Sequence, residues 1–121
     1  MHVHNLWKSV RYALRGLLIV LRSEQNFRIQ LLIAVLVIGA GFRLGLLAWK
    51  LVALVLISLM VLVLELANSI FERLVDAFRP RLHPAIADMK DIMAAAVLLA
   101  SLGAIVMGVI LFWPHLASRI G

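Results

Sequence analysis

Apolar and polar positions alternate with a helical period from the start of the chain. Leu6, Trp7, Val10, Ala13, Leu14, Leu17, Leu18 and Leu21 recur at steps of three and four, with Lys8, Arg11, Arg15 and Arg22 between them. This spacing predicts a basic amphipathic helix over about residues 5–27, lying in a membrane interface rather than crossing it. Trp7 and Tyr12, amphipathic rings, suit that depth. Three apolar stretches follow, predicting spans at 28–43, 47–78 and 86–113. The first is apolar from Ile29 to Phe42 apart from Gln30. Fourteen helical residues cover only about 21 Å, so the turns around Arg28 are needed to complete a crossing. Gly39, Gly41, Arg43 and Gly45 mark the connection to the second span. That span is uncharged from Leu51 to Leu64 and keeps helical pattern through ELANSIFERLVDAF until Pro80. Residues 79–84, RPRLHP, read as a loop. The third span is uncharged from Ile92 to Trp113, and Pro114 is expected to end it.

Composition agrees with this pattern. Of 121 residues, 64% are hydrophobic and 15% are charged, whereas soluble domains run closer to half apolar. A soluble fold of this length buries roughly 60–70% of its chain surface, too little to hide so many apolar side chains. The expected class is therefore an all-α membrane protein with one domain, 1–121. Twelve Lys and Arg against six Asp and Glu give a net charge of +6. The basic residues flank the spans, so they point to membrane orientation and anionic lipid rather than to nucleic acid. Nine of them (Lys8, Arg11, Arg15, Arg22, Arg28, Arg73, Arg79, Arg81 and Lys90) fall on one predicted side, against Arg43, Lys50 and Arg119 on the other. The N-terminus is thus expected in the cytoplasm and the C-terminus outside. The N-terminal stretch has no small-residue cleavage site, and arginines interrupt it, so it is expected to stay in the mature chain. With no cysteine, disulfides and thiol chemistry are excluded.

The acids carry the chemistry. All six (Glu24, Glu65, Glu72, Asp76, Asp88 and Asp91) fall at predicted cytoplasmic helix ends. Glu65, Asn68, Glu72 and Asp76 lie at offsets of 0, 3, 7 and 11, which at about 100° per residue share a stripe roughly 80° wide. A carboxylate at membrane depth is costly and so a candidate functional group. Asp88 reads as an ordinary helix-end charge. Hard oxygen ligands on one face with Lys and Arg nearby suit Mg²⁺ and a polyphosphate. No G-x-x-x-x-G-K-[ST] loop is present. A transporter reading, with Glu65 as a proton or cation site, would place the acid near mid-span and no acids beyond it.

The run Glu65-Leu-Ala-Asn68-Ser69-Ile-Phe-Glu72-Arg-Leu-Val-Asp76 resembles the signature of the prokaryotic diacylglycerol kinase family, which includes undecaprenol kinases. Two further blocks agree: Arg22-Ser-Glu24-Gln-Asn26-Phe27-Arg28, and Lys90-Asp91-x-x-Ala94-Ala-Ala-Val97-Leu98. The resemblance implies Mg²⁺- and ATP-dependent phosphorylation of a lipid alcohol, diacylglycerol or undecaprenol, at the cytoplasmic face of a bacterial inner membrane. It implies a homotrimer with active sites shared between subunits. By the same resemblance, Glu65 is the general base, Glu24 and Glu72 are metal ligands, and Lys90 and Asp91 contact nucleotide phosphates. Asn68 and Asp76 join the polar cluster, and Tyr12 and His83 lie near the nucleotide. Asn26, Phe27, Arg28, Ala94 and Trp113 fall with Glu65 on the lipid side. Trp113-x-His115 leans toward diacylglycerol kinases, and Asn26-Phe27-Arg28-Ile29 toward undecaprenol kinases. Asn5, Gln30, Phe71, Arg73 and Met93 depart from the family pattern. His2-x-His4 offers too few ligands for a metal site. Trp7, Trp49 and Trp113 read as interfacial anchors, and Ala100, Gly103, Ala104 and Gly108 as a helix-packing face.

Overall fold

A computed structural model describes residues 3–78 and 84–120. Four helices follow one another: α1 (Val3–Ser23), α2 (Gln25–Arg43), α3 (Ala48–Ala77) and α4 (Pro84–Ile120). The helices α2, α3 and α4 are each long and apolar enough to cross a membrane. The helix α3 is the central one, packing most extensively on α4 and next on α2, while α1 meets α2 over a short stretch.

The boundary between α1 and α2 differs from expectation. The spacing predicts one helix over about residues 5–27, whereas the break falls at Glu24, so Gln25, Asn26 and Phe27 open α2. Glu24 is extended, with φ −113° and ψ 108°, and is the single residue between the two helices. Arg28 explains how so abrupt a break is satisfied. Its guanidinium donates to the carbonyls of Leu21 (2.8 Å) and Arg22 (3.0 Å), two of the acceptors a helix end leaves without partners. Phe27, one turn into α2, is buried.

The connection from α2 to α3 needs glycine at one point. Gly45 has φ +71°, a left-handed conformation that side chains resist. Around it, Leu44 N–H donates to the Ala40 carbonyl (2.9 Å) and Leu46 N–H to the Gly41 carbonyl (3.0 Å), closing the end of α2. Leu46 then joins Leu54 of α3 and Leu111 of α4 in the buried core, flanked by Val37, Leu51, Met107 and Phe112. Gly41 lies against this cluster: a Cβ there would meet Leu51 Cδ2 at 3.0 Å and Leu46 Cδ1 at 3.1 Å. Gly45→Val should therefore cost about 1–2 kcal/mol of stability through backbone strain alone, read as a lower unfolding midpoint in detergent. An unchanged midpoint would remove this account of the turn.

Pro114 does not end the last helix. The helix α4 continues through it to Ile120. Proline removes only one hydrogen-bond donor and keeps a helical φ, and a long apolar helix accommodates the loss by small local adjustments. At its other end, Pro84 occupies the first position of α4, where no intrahelical N–H bond is lost.

Candidate functional site

The polar residues of α3 converge on the α1–α2 junction. Glu65 is buried, 6% exposed, where the uncharged run Leu51–Leu64 of α3 gives way to its polar end. Gln30 of α2 donates from Nε2 to Glu65 Oε2 at 3.4 Å. One turn further along α3, Ser69 is buried and donates from Oγ to Glu24 Oε1 at 2.9 Å. Asn68 donates from Nδ2 to Glu72 Oε1 at 3.3 Å. Glu65 lies within electrostatic reach of both Glu24 and Glu72. Three carboxylates from two segments of chain therefore share one small region, with neutral amide and hydroxyl donors distributed among them. Among the described residues, no three His, Cys, Asp or Glu side chains are grouped closely enough to hold a metal by themselves.

Two buried acceptors in this region have no partner: Gln30 Oε1 and Asn68 Oδ1. Buried polar oxygens are ordinarily hydrogen-bonded, so each is an opening for a donor or a cation. Gln30 also forms the polar end of an apolar groove of about 550 Å³ running between α2, α3 and α4. Ala34 and Val37 of α2, Leu54, Val61 and Leu62 of α3 and Phe112 of α4 line it. The groove and the buried carboxylate thus meet at one side chain.

The remaining expected residues are placed less closely. Asp76 is exposed near the end of α3, and on α4 Lys90 is half-buried while Asp91 and Ala94 are exposed. Tyr12 is exposed on α1, and Asn26 and Arg28 are exposed at the start of α2. Phe27 is buried, contributing packing rather than an open contact. Trp113 is exposed on α4, and 23 residues of helix put it about 35 Å along the axis from Lys90. His83 lies outside the described residues. Gln30, Ser69 and Arg73 had no role assigned from the sequence. For Ser69 a signal existed: it falls four residues after Glu65, on the same helix face.

Residues 11–112 match the family model described as prokaryotic diacylglycerol kinase. The chain is 38% identical over 115 residues to a diacylglycerol kinase of Synechocystis sp., a match covering 94% of this chain and 66% of that relative. It is 29% identical over 116 residues to an undecaprenol kinase of Bacillus subtilis, covering 94% of this chain and 93% of that protein. A diacylglycerol kinase of Haemophilus influenzae is 33% identical over 110 residues, covering 90% of this chain and 93% of its own.

Proposed function

The chain belongs to the prokaryotic diacylglycerol kinase family, and from that premise we propose that it phosphorylates a membrane lipid alcohol with Mg·ATP, diacylglycerol being the first choice of substrate. The observation that carries this reading is the buried Glu65 carboxylate, linked through Gln30 to the polar end of an apolar groove, with Glu24 and Glu72 close by. Glu65 takes the proton of the lipid hydroxyl as its oxygen attacks the γ-phosphorus. The bond from that phosphorus to the bridging oxygen of ADP breaks, leaving a lipid phosphate, ADP and a proton on Glu65. Phosphoryl transfer asks chiefly for alignment and charge neutralisation, and a groove ending at Gln30, the hydrogen-bond partner of the base, supplies alignment.

Glu24 and Glu72 would hold the magnesium ion. The donor set fits: Mg²⁺ is commonly held by one or two carboxylates, with water and phosphate oxygens completing its shell. The unpaired Asn68 Oδ1 adds a hard oxygen acceptor beside Glu72. When bound, the ion neutralises charge on the phosphates. Lys90 and Asp91 contact the nucleotide phosphates, with Asp76, Tyr12 and His83 nearby, and Asn26, Phe27, Arg28, Ala94 and Trp113 lie toward the lipid.

In this reading α1 lies in the interface of a bacterial inner membrane. The N-terminus and the site face the cytoplasm and the C-terminus lies outside, following the excess of basic residues on one side. One chain with three spans encloses little of two substrates at once, and its helices leave many large apolar side chains exposed. A homotrimer with sites shared between subunits answers the first point, and lipid or a neighbouring subunit alike covers the apolar side chains. Undecaprenol is the second reading of the substrate, favoured by the Bacillus subtilis relative, matched over 93% of its length.

Purified protein in mixed micelles with Mg·ATP should consume ATP only when a lipid alcohol is added. Parallel assays with diacylglycerol and a polyprenol assign the substrate. No turnover with either, across several detergents, would remove the kinase reading.

A further inference from the structure

Glu24 occupies an unusual place for a ligand. It is the one extended residue between two helices, so neither helix fixes the direction of its side chain. What fixes it is a chain of directed hydrogen bonds from α3. Ser69 has a single hydroxyl proton, and that proton goes to Glu24 Oε1 at 2.9 Å. The lone pairs of the same hydroxyl face Arg73, whose Nε donates to Ser69 Oγ at 3.4 Å. Arg73 Nη2 donates to Ser23 Oγ at 2.7 Å, and Ser23 passes its own proton to the Ile19 carbonyl at 2.7 Å. One guanidinium therefore grips both sides of the junction: the last turn of α1 through Ser23, and Glu24 through Ser69.

We propose that Arg73 is a positioning residue that sets the Glu24 carboxylate through Ser69 and locks the end of α1 against α3. This rests on the reading of Glu24 as a magnesium ligand. Two properties of arginine make it suited to the task. Its fork presents donors at fixed angles, so one side chain serves two hydroxyls that a lysine ammonium cannot serve with the same geometry. Its positive charge also polarises the Ser69 hydroxyl, strengthening the donation from Ser69 to Glu24. Ser69 engages only Oε1, which leaves Glu24 Oε2 for a ligand.

The test measures Mg²⁺ and nucleotide dependence separately from lipid dependence. Arg73→Ala should weaken Mg·ATP binding, read as the Kd from equilibrium titration without lipid, and raise the Mg²⁺ concentration for half-maximal activity, each by about five- to tenfold, the scale of one ordinary net hydrogen bond. The KM for lipid should stay within about twofold, because the groove beyond Gln30 is untouched. Ser69→Ala should give the same pattern, and the double variant should fall short of the product of the two single effects, since both act on Glu24 through the Ser69 hydroxyl. Ser69→Thr keeps the hydroxyl and should restore wild-type Mg²⁺ dependence, separating positioning from loss of folding. Arg73→Ala with unchanged Mg²⁺ and nucleotide dependence, while Glu24→Gln is inactive, would overturn this proposal and leave the kinase reading standing. Effects of Arg73→Ala and Ser69→Ala that multiply in the double variant would also overturn it. Unchanged Mg²⁺ dependence in Glu24→Gln would remove the metal reading and this proposal with it.

Discussion

Glu65→Gln should lower kcat for lipid phosphorylation by about 10²–10⁴-fold, the usual contribution of a positioned general base. The substitution is nearly isosteric. Gln30 Nε2 now donates to Glu65 Oε2, and the amide oxygen of glutamine can accept the same bond. Packing around the buried position is thereby kept, and the variant should elute and unfold like the wild type. What glutamine cannot do is accept the hydroxyl proton. The KM for Mg·ATP should change little, because the nucleotide is assigned to Glu24, Glu72 and residues beyond them. Turnover in Glu65→Gln close to wild type would exclude Glu65 as the base, whatever its burial.

The second large effect is expected at Glu72. Glu72→Ala should reduce kcat/KM for Mg·ATP by about 10²–10³-fold, the scale of several kcal/mol of charge stabilisation lost at the phosphates. Two consequences follow from its present bonding. Asn68 Nδ2 loses its acceptor, so Asn68 can turn, and its unpaired Oδ1 moves with it. High Mg²⁺ should recover part of the loss, since weaker binding is overcome by mass action. A loss that no concentration of Mg²⁺ improves, with lipid KM altered instead, would move Glu72 out of the metal site.

The sequence carried the helices and the acids clearly, for a physical reason. Both signals are local: apolar periodicity needs only neighbours along the chain, and a charge inside an apolar run is conspicuous by its cost. The break at Glu24 was less legible. Ser23-Glu24-Gln25 contains neither proline nor glycine, and the end of α1 is satisfied by Arg28 reaching back to Leu21 and Arg22. Pro114 misled in the opposite direction, since a stop signal for short helices is tolerated within a long apolar one. Within the site, carboxylates announce themselves, but their partners do not. Ser69 and Gln30 are common residue types, and only the approach of α2 to α3 makes them part of the cluster. Arg73 looked like a departure from the family pattern, and the structure gives it bonds across the junction.

The junction at Glu24 has no slack. A single extended residue joins α1 to α2, so adding one there would displace one helix relative to the other by up to about 3.5 Å. Ser23, Glu24 and Arg28 would then be out of place together, and the bonds from Ser69 and Arg73 would lose their targets at once. Side chains around such a joint, Glu24 itself apart, can be exchanged one at a time, each at modest cost. Its length cannot. Insertions and deletions should therefore be far rarer here than at the turn from α2 to α3, and the count of residues should persist in lineages where their identities drift.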